Sequence, residues 1–112
     1  MFSQAARESE ILAAIKDYLD LKGIFHFRVN QIPVPLPGGG FRRFAGTPGV
    51  SDLIAVFPKG RICCIEVKSA RGKESEAQEQ FLEKIYALGG IAIVAHSVEE
   101  LEADLREAGV IS

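Results

Sequence analysis

The stretch GVSDLIAVFPKGRICCIEVKS, residues 49–69, decides the fold. Two β-rich runs, DLIAVF at 52–57 and RICCIEVK at 61–68, are joined by Pro58-Lys59-Gly60, and this arrangement predicts a β-hairpin. Both runs are apolar on both faces, which places them at the centre of a sheet. Residues two apart in a strand share a face, so Glu66 and Lys68 point the same way as Ile62 and Cys64. A face otherwise suited to the core then carries two charges, and burying an ion without a partner is costly. Alone, Glu66 and Lys68 would read as a solvated strand end. The hairpin changes that reading, because it brings the start of one strand beside the end of the other and makes Asp52 converge on Glu66.

Working outward, Ser75 opens a predicted helix that runs to about Leu88, with Ser75 and Gln78 in a capping-box pattern and Gly89-Gly90 as its stop. Ile91 to Ala95 reads as a further strand, and Ser97 with Glu100 repeats the capping pattern before a last helix ending near Gly109. Upstream, apolar residues at 11, 12, 15, 18 and 19 form one helical stripe between Glu8 and Lys22, and Gly23 follows. Ile24 to Val29 reads as a strand. Residues 32–50 hold four of the five prolines and the Gly38–Gly40 run, so they predict an irregular excursion, at most a loose hairpin turning at the glycines. The order helix, strands, helix, strand, helix describes an α/β sandwich with a mixed sheet.

A chain of 112 residues, 47% hydrophobic and 25% charged, suits one domain over residues 1–112. No apolar run is long enough for a membrane helix and the N-terminus carries acids where a secretory signal is apolar, so no membrane partner and a cytoplasmic location are expected. Cys63 and Cys64 are adjacent and point to opposite faces, which suits neither a disulfide nor a metal clip; both are expected to be buried thiols. The formal net charge is −2, but it is segregated. Residues 28–73 carry Arg28, Arg42, Arg43, Lys59, Arg61, Lys68, Arg71 and Lys73 against Asp52 and Glu66 alone, whereas residues 74–112 carry nine acids against Lys84 and Arg106. A basic middle segment can steer a polyanion whatever the total charge.

Two carboxylates a few ångströms apart repel unless a proton or cation lies between them. Hard oxygen donors, with no histidine or thiolate beside them, favour Mg²⁺ or Mn²⁺. Such an ion acts as a Lewis acid on a phosphoryl oxygen, and Lys68 adds positive charge where negative charge develops. The chemistry this suggests is phosphodiester hydrolysis.

The pattern Gly49-x-x-Asp52, followed after thirteen residues by Glu66-Val67-Lys68, resembles the PD-(D/E)XK nuclease superfamily. Within it, the string from Gly49 to Ser69 and the glutamine of the next helix resemble the VRR-NUC family. Ser51 stands where the superfamily has a proline, a position with no chemical role. The resemblance implies a restriction-endonuclease-like α/β sandwich and a divalent-metal deoxyribonuclease acting on branched, flapped or four-way-junction DNA, in a phage or bacterial setting. It implies Asp52, Glu66, Lys68 and Gln78 as catalytic residues, with the Val67 backbone carbonyl among the metal ligands. It also places a glutamate of the first helix near the metal. Glu8 lies about 20° from Ile15 around the helix axis and Glu10 about 140° away, which selects Glu8; an acid that merely complements the helix dipole is the plain alternative.

Gln78 is read either as a ligand for water or phosphate or as a helix cap, two roles that compete. Asn30 resembles a family asparagine, though asparagine also opens loops for turn reasons alone. Arg28, Arg42, Arg43, Arg71 and Lys73 are candidate phosphate contacts. His26 and His96 belong to no ligand set. Paired incision of a junction implies a homodimer, and no small-molecule organic cofactor is expected. The rival readings are a restriction-type or exonucleolytic enzyme, a non-catalytic nucleic-acid-binding module, and a partner-binding domain using the acidic helix 97–108.

Overall fold

Ile11, Ile15 and Leu19, one turn apart along the first helix, are buried, and they set the layer against which the sheet packs. That helix, α1 (Glu8–Leu21), ends at Gly23, whose φ of +67° suits glycine and allows the Ile24 N–H to close back on the Leu19 carbonyl. The computed structural model describes residues 7–29, 34–42 and 46–112. After α1 come β1 (Phe25–Arg28), the short strands β2 (Val34–Pro35) and β3 (Phe41–Arg42), β4 (Leu53–Phe57), β5 (Arg61–Val67), α2 (Glu76–Ala87), β6 (Ile91–Ala95) and α3 (Val98–Glu107). No helix among the described residues is long and apolar enough to cross a membrane.

The main sheet runs in the order β1-β4-β5-β6, with β4 antiparallel to both β1 and β5 and β6 parallel to β5. The parallel pair follows from the α2 crossover, because a short turn can only reverse the chain. The expected hairpin is present: a 3₁₀ turn at Pro58–Gly60 joins the two central strands. β2 and β3 form the small separate hairpin expected at the glycine run. The fold is therefore the mixed, restriction-endonuclease-like α/β sandwich expected from the sequence.

The two faces of the sheet are unequal. Leu53, Ala55, Phe57, Cys63, Ile65, Val67, Ile91, Ile93 and Ala95 pack against Ile11, Ile15 and Leu19 of α1 and Leu101 and Leu105 of α3. Among the described residues, only α2 covers the opposite face. Ile54 and Val56 are half-buried there, Ile62 is 45% exposed, and Phe25 and Phe27 of β1 stand outside. The expected central place of both runs is borne out, since β4 and β5 are the inner strands of the sheet. β5 is buried on both faces from Cys63 to Val67, so Glu66 does lie on a covered face, and the open part of that face is its β1–β4 half.

Candidate active site

The site starts from strand register. Leu53 pairs with Ile65, so the next step towards the open end of the hairpin sets Asp52 opposite Glu66. Asp52 is held in two ways: its carbonyl accepts from the Val29 N–H at 2.9 Å, and its side-chain Oδ2 accepts from the Val67 N–H at 2.7 Å. Gly49, just upstream, has φ +72°, and a Cβ there would overlap the Ala77 carbonyl and come within 2.6 Å of the Gln78 nitrogen. Only glycine lets this loop lie so close against the first turn of α2. The glycine of the sequence pattern thus has a packing role that sequence alone does not disclose.

Glu66 is 2% exposed. Its Oε1 accepts from Gln78 Nε2 at 2.9 Å and lies 3.6 Å from Lys68 Nζ. Its Oε2 is buried without a hydrogen-bond partner among the described residues. Burial, and then the neighbouring Asp52 carboxylate, push the Glu66 carboxyl up to about 8, with Lys68 pulling the other way and Glu8 adding to the rise. Such an arrangement favours a proton or a cation at Glu66.

Gln78 caps α2. Its Oε1 accepts from the Ser75 N–H at 2.8 Å, while its own N–H donates to Ser75 Oγ at 3.2 Å, so the capping box is complete. Its Nε2 is left over for Glu66. Of the two roles weighed for Gln78 the cap is present, and the other end of the amide is engaged by the Glu66 carboxyl. The capping pattern at Ser97 is only half formed: the Glu100 N–H donates to Ser97 Oγ, but the Glu100 carboxylate goes to His96.

Two clefts that share Arg28 and Asp52 open on this centre. One, of about 290 Å³, is lined by Arg28, Gly49, Asp52, Glu66, Ser75 and Gln78; the other, of about 450 Å³, by Glu8, Lys16, Arg28, Asp52 and Val67. Glu8 is thus brought to the cleft, whose lining does not include Glu10. The acid chosen by helical phase is the one that reaches this region. Arg28 borders both clefts and is exposed. Arg71 and Lys73 are exposed on the link between β5 and α2 and line neither cleft. Asn30 and Arg43 lie outside the described residues, as does the side chain of Arg42, whose backbone belongs to β3.

The donor chemistry fits a small hard cation. No three His, Cys, Asp or Glu side chains gather as a ligand cluster among the described residues. Two carboxylates do come together, one with an unpartnered buried oxygen, and magnesium commonly takes one or two protein carboxylates and keeps water for the rest. Asp52 and Glu66 are the residues able to hold it. Both thiols are free and buried, as expected, and burial pushes Cys63 up to about 12, which removes it from chemistry at neutral pH.

His96 is one of the two histidines that sequence reasoning left without a role. Its Nδ1 meets Glu100 Oε1 at 2.8 Å and its Nε2 meets the Gly72 carbonyl at 2.9 Å, joining α3 to the link between β5 and α2. Both partners are acceptors, which raises its pKa above the ordinary value. The spacing of His96 and Glu100 was visible in the sequence; the contact with Gly72 was not.

Compared with known proteins, residues 27–99 match the model of the VRR-NUC domain. The match runs from inside β1 to the first turn of α3 and takes in Asp52, Glu66, Lys68 and Gln78 but not Glu8. No curated protein matches the chain.

Proposed function

The chain belongs to the VRR-NUC family of the PD-(D/E)XK nucleases, and on that premise we propose that it hydrolyses DNA phosphodiester bonds at a divalent-cation centre on Asp52 and Glu66. The observation that carries the reading is the buried, unpartnered Oε2 of Glu66 beside the Asp52 carboxylate. A group in that position is costly unless a proton or cation meets it. Mg²⁺ or Mn²⁺ held there supplies Lewis acidity to a phosphoryl oxygen and makes a water more acidic.

The protein's own residues do the positioning. The Val67 N–H fixes the Asp52 carboxylate, and Gln78 fixes that of Glu66, two residues that line the same cleft. Lys68, 3.6 Å from Glu66, orients the attacking water and offsets charge on the phosphorane. Glu8 on the cleft wall accepts a hydrogen bond from a water there, and the Val67 carbonyl joins the ligand set. Water oxygen forms the new P–O bond, one ester P–O bond breaks, and the proton released by water balances the one taken up by the leaving oxygen. Arg28 at the cleft mouth holds an adjacent phosphate, with Arg71 and Lys73 contributing further along the strand.

Branched, flapped or four-way-junction DNA is the proposed substrate class, on the family resemblance, and two incisions at a junction call for a pair of subunits. The test is cleavage of labelled single-stranded, duplex, flapped and four-way-junction DNA with Mg²⁺, Mn²⁺ or EDTA, beside folded Asp52→Ala and Lys68→Ala. Metal-dependent cutting that both variants lose supports the reading. Binding of these DNAs without cutting under any metal replaces it with a nucleic-acid-binding module.

A further inference from the structure

Two consecutive residues at the end of β6 reach across to the segment that follows β5. The Ala95 carbonyl accepts from the Lys68 N–H at 3.0 Å. The next residue, His96, brings its ring Nε2 to the Gly72 carbonyl at 2.9 Å. Both ends of the stretch 68–72 are therefore tied to one short piece of chain. Between the ties the backbone makes a tight turn, with the Gly72 N–H donating to the Ser69 carbonyl at 2.8 Å. His96 is itself held from the other side, where Glu100 Oε1 meets Nδ1 at 2.8 Å. Glu100 belongs to the first turn of α3, which the Ser97 side chain caps, so a fixed helix end stands behind the ring.

The turn lies against Lys68. A Cβ added to Gly72 would come within 3.1 Å of Lys68 Cβ and 3.0 Å of Ser69 Oγ, so the glycine backbone fills the space beside the root of the lysine side chain. A side chain walled in at Cβ keeps fewer staggered χ1 positions. Lysine ordinarily carries about 2 kcal/mol of rotamer entropy, yet the Lys68 side chain is only 15% exposed and its Nζ stays 3.6 Å from Glu66 Oε1. That ion pair is longer than a charge-assisted hydrogen bond, and the same oxygen already accepts from Gln78 at 2.9 Å. The wall at Gly72 supplies order that the pair alone does not.

We infer that His96 is a positioning residue for Lys68: by fixing the Gly72 carbonyl it keeps the turn against the lysine, and so keeps the ammonium at Glu66. This role in the reaction rests on the cleavage reading above. His96 lines neither cleft of the candidate site, and its contacts are with Glu100 and Gly72. It acts on the site through the backbone of Gly72. A group held in place beforehand needs no ordering at the moment of reaction, and a misplacement of about 1 Å can cost about a hundredfold in rate.

The experiment applies two readouts to wild type, His96→Ala, His96→Gln and Gly72→Ala, with circular dichroism and melting to confirm folding. The first needs no substrate: timed acetylation by acetic anhydride with mass spectrometry, Lys68 being compared with the exposed Lys84 as internal reference. Relative to Lys84, Lys68 is expected to react severalfold faster in His96→Ala and Gly72→Ala, changes at opposite ends of one hydrogen bond. His96→Gln keeps an N–H donor at the reach of Nε2 and is expected to recover part of the protection. Should His96→Ala fail to fold, Glu100→Ala, at the partly exposed end of this chain of contacts, takes its place. The second readout is cleavage, where the loss of His96 is expected to lower kcat by about tenfold to a hundredfold with KM little changed. Unchanged acetylation of Lys68 in the folded variants overturns the proposal. Faster acetylation with unchanged kcat overturns it as well, and a raised KM would move the role of the contact to Arg71 and Lys73 beside Gly72. A wild type that cuts no DNA removes the cleavage reading and the catalytic sense of positioning with it, while acetylation still decides whether His96 holds Lys68.

Discussion

Gln78 joins the cap of α2 to the buried carboxyl of Glu66: its Oε1 accepts from the Ser75 N–H at 2.8 Å and its Nε2 donates to Glu66 Oε1 at 2.9 Å. One substitution should therefore disturb stability and the site together, and two should separate them. Gln78→Ala removes both bonds and is expected to cost about 1–2 kcal/mol in urea unfolding, the size of a lost cap plus an unpaired buried acceptor. Gln78→Glu keeps the cap acceptor while setting a second carboxylate against Glu66. It loses the donor to that buried carboxyl and is expected to cost about 1 kcal/mol, less than Gln78→Ala because the cap remains, yet to lose most cleavage. Equal activity in Gln78→Glu and wild type would show that the Glu66 contact is only structural.

Replacing Glu66 tests the cation reading without any substrate. With the carboxyl pushed up to about 8, it is mostly protonated at neutral pH in the cation-free protein, and glutamine is then a close mimic. Glu66→Gln is expected to melt at or slightly above the wild-type temperature in EDTA. Millimolar Mg²⁺ or Mn²⁺ is expected to raise the wild-type melting temperature by a few degrees, following the linkage of binding to stability, and to leave the variant unmoved. Equal responses in both proteins would remove Glu66 from the cation site.

The parts of this arrangement that follow from local rules were legible before any coordinates. The β4–β5 hairpin is written in two apolar runs around Pro58-Lys59-Gly60, and once it closes, register alone sets Asp52 against Glu66. Gly23 and the Ser75 cap mark helix ends through backbone chemistry within a few residues. What stayed hidden depends on residues distant in sequence. The apolar runs of β4 and β5 do not say which face two helices cover and which face only one. Gly49 gives no sign that its hydrogen faces the backbone of Ala77, nor His96 that Gly72 is its partner.

That His96 contact carries a pH dependence of its own, which substitution at His96 separates from that of Glu66. Its pKa is raised by the Glu100 carboxylate and the Gly72 carbonyl, so the folded state binds the proton more tightly than the unfolded chain. The stabilisation is complete below the ordinary histidine value of about 6.5 and is lost as pH rises through the higher folded value. His96→Gln is expected to destabilise the protein by about 1 kcal/mol at pH 6, the pair being partly exposed, and by less at pH 9. A destabilisation that grows with pH would contradict the assignment of both ring nitrogens as donors.

Gly49 offers the sharpest packing test, because the chain contains its own control. Gly38 also has positive φ, +86°, but a Cβ there meets nothing within 4 Å, so Gly38→Ala should cost only the left-handed strain of about 1–2 kcal/mol. At Gly49 the same strain is joined by overlap with the Ala77 carbonyl and close approach to the Gln78 nitrogen, both backbone atoms that cannot rotate away. Either the 47–51 loop or the first turn of α2 must shift, and each holds one side of the carboxylate pair: the loop leads into Asp52, and the turn carries Gln78. Gly49→Ala is expected to lose at least about 3 kcal/mol in urea unfolding, in the range of severe backbone strain. It should also lose the Mg²⁺-induced rise in melting temperature, while Gly38→Ala keeps it. Hydrogen exchange would locate the change, with faster exchange at the Val67 amide once Asp52 withdraws; an unchanged Val67 amide in a destabilised Gly49→Ala would mean that the loop moves without carrying Asp52 along.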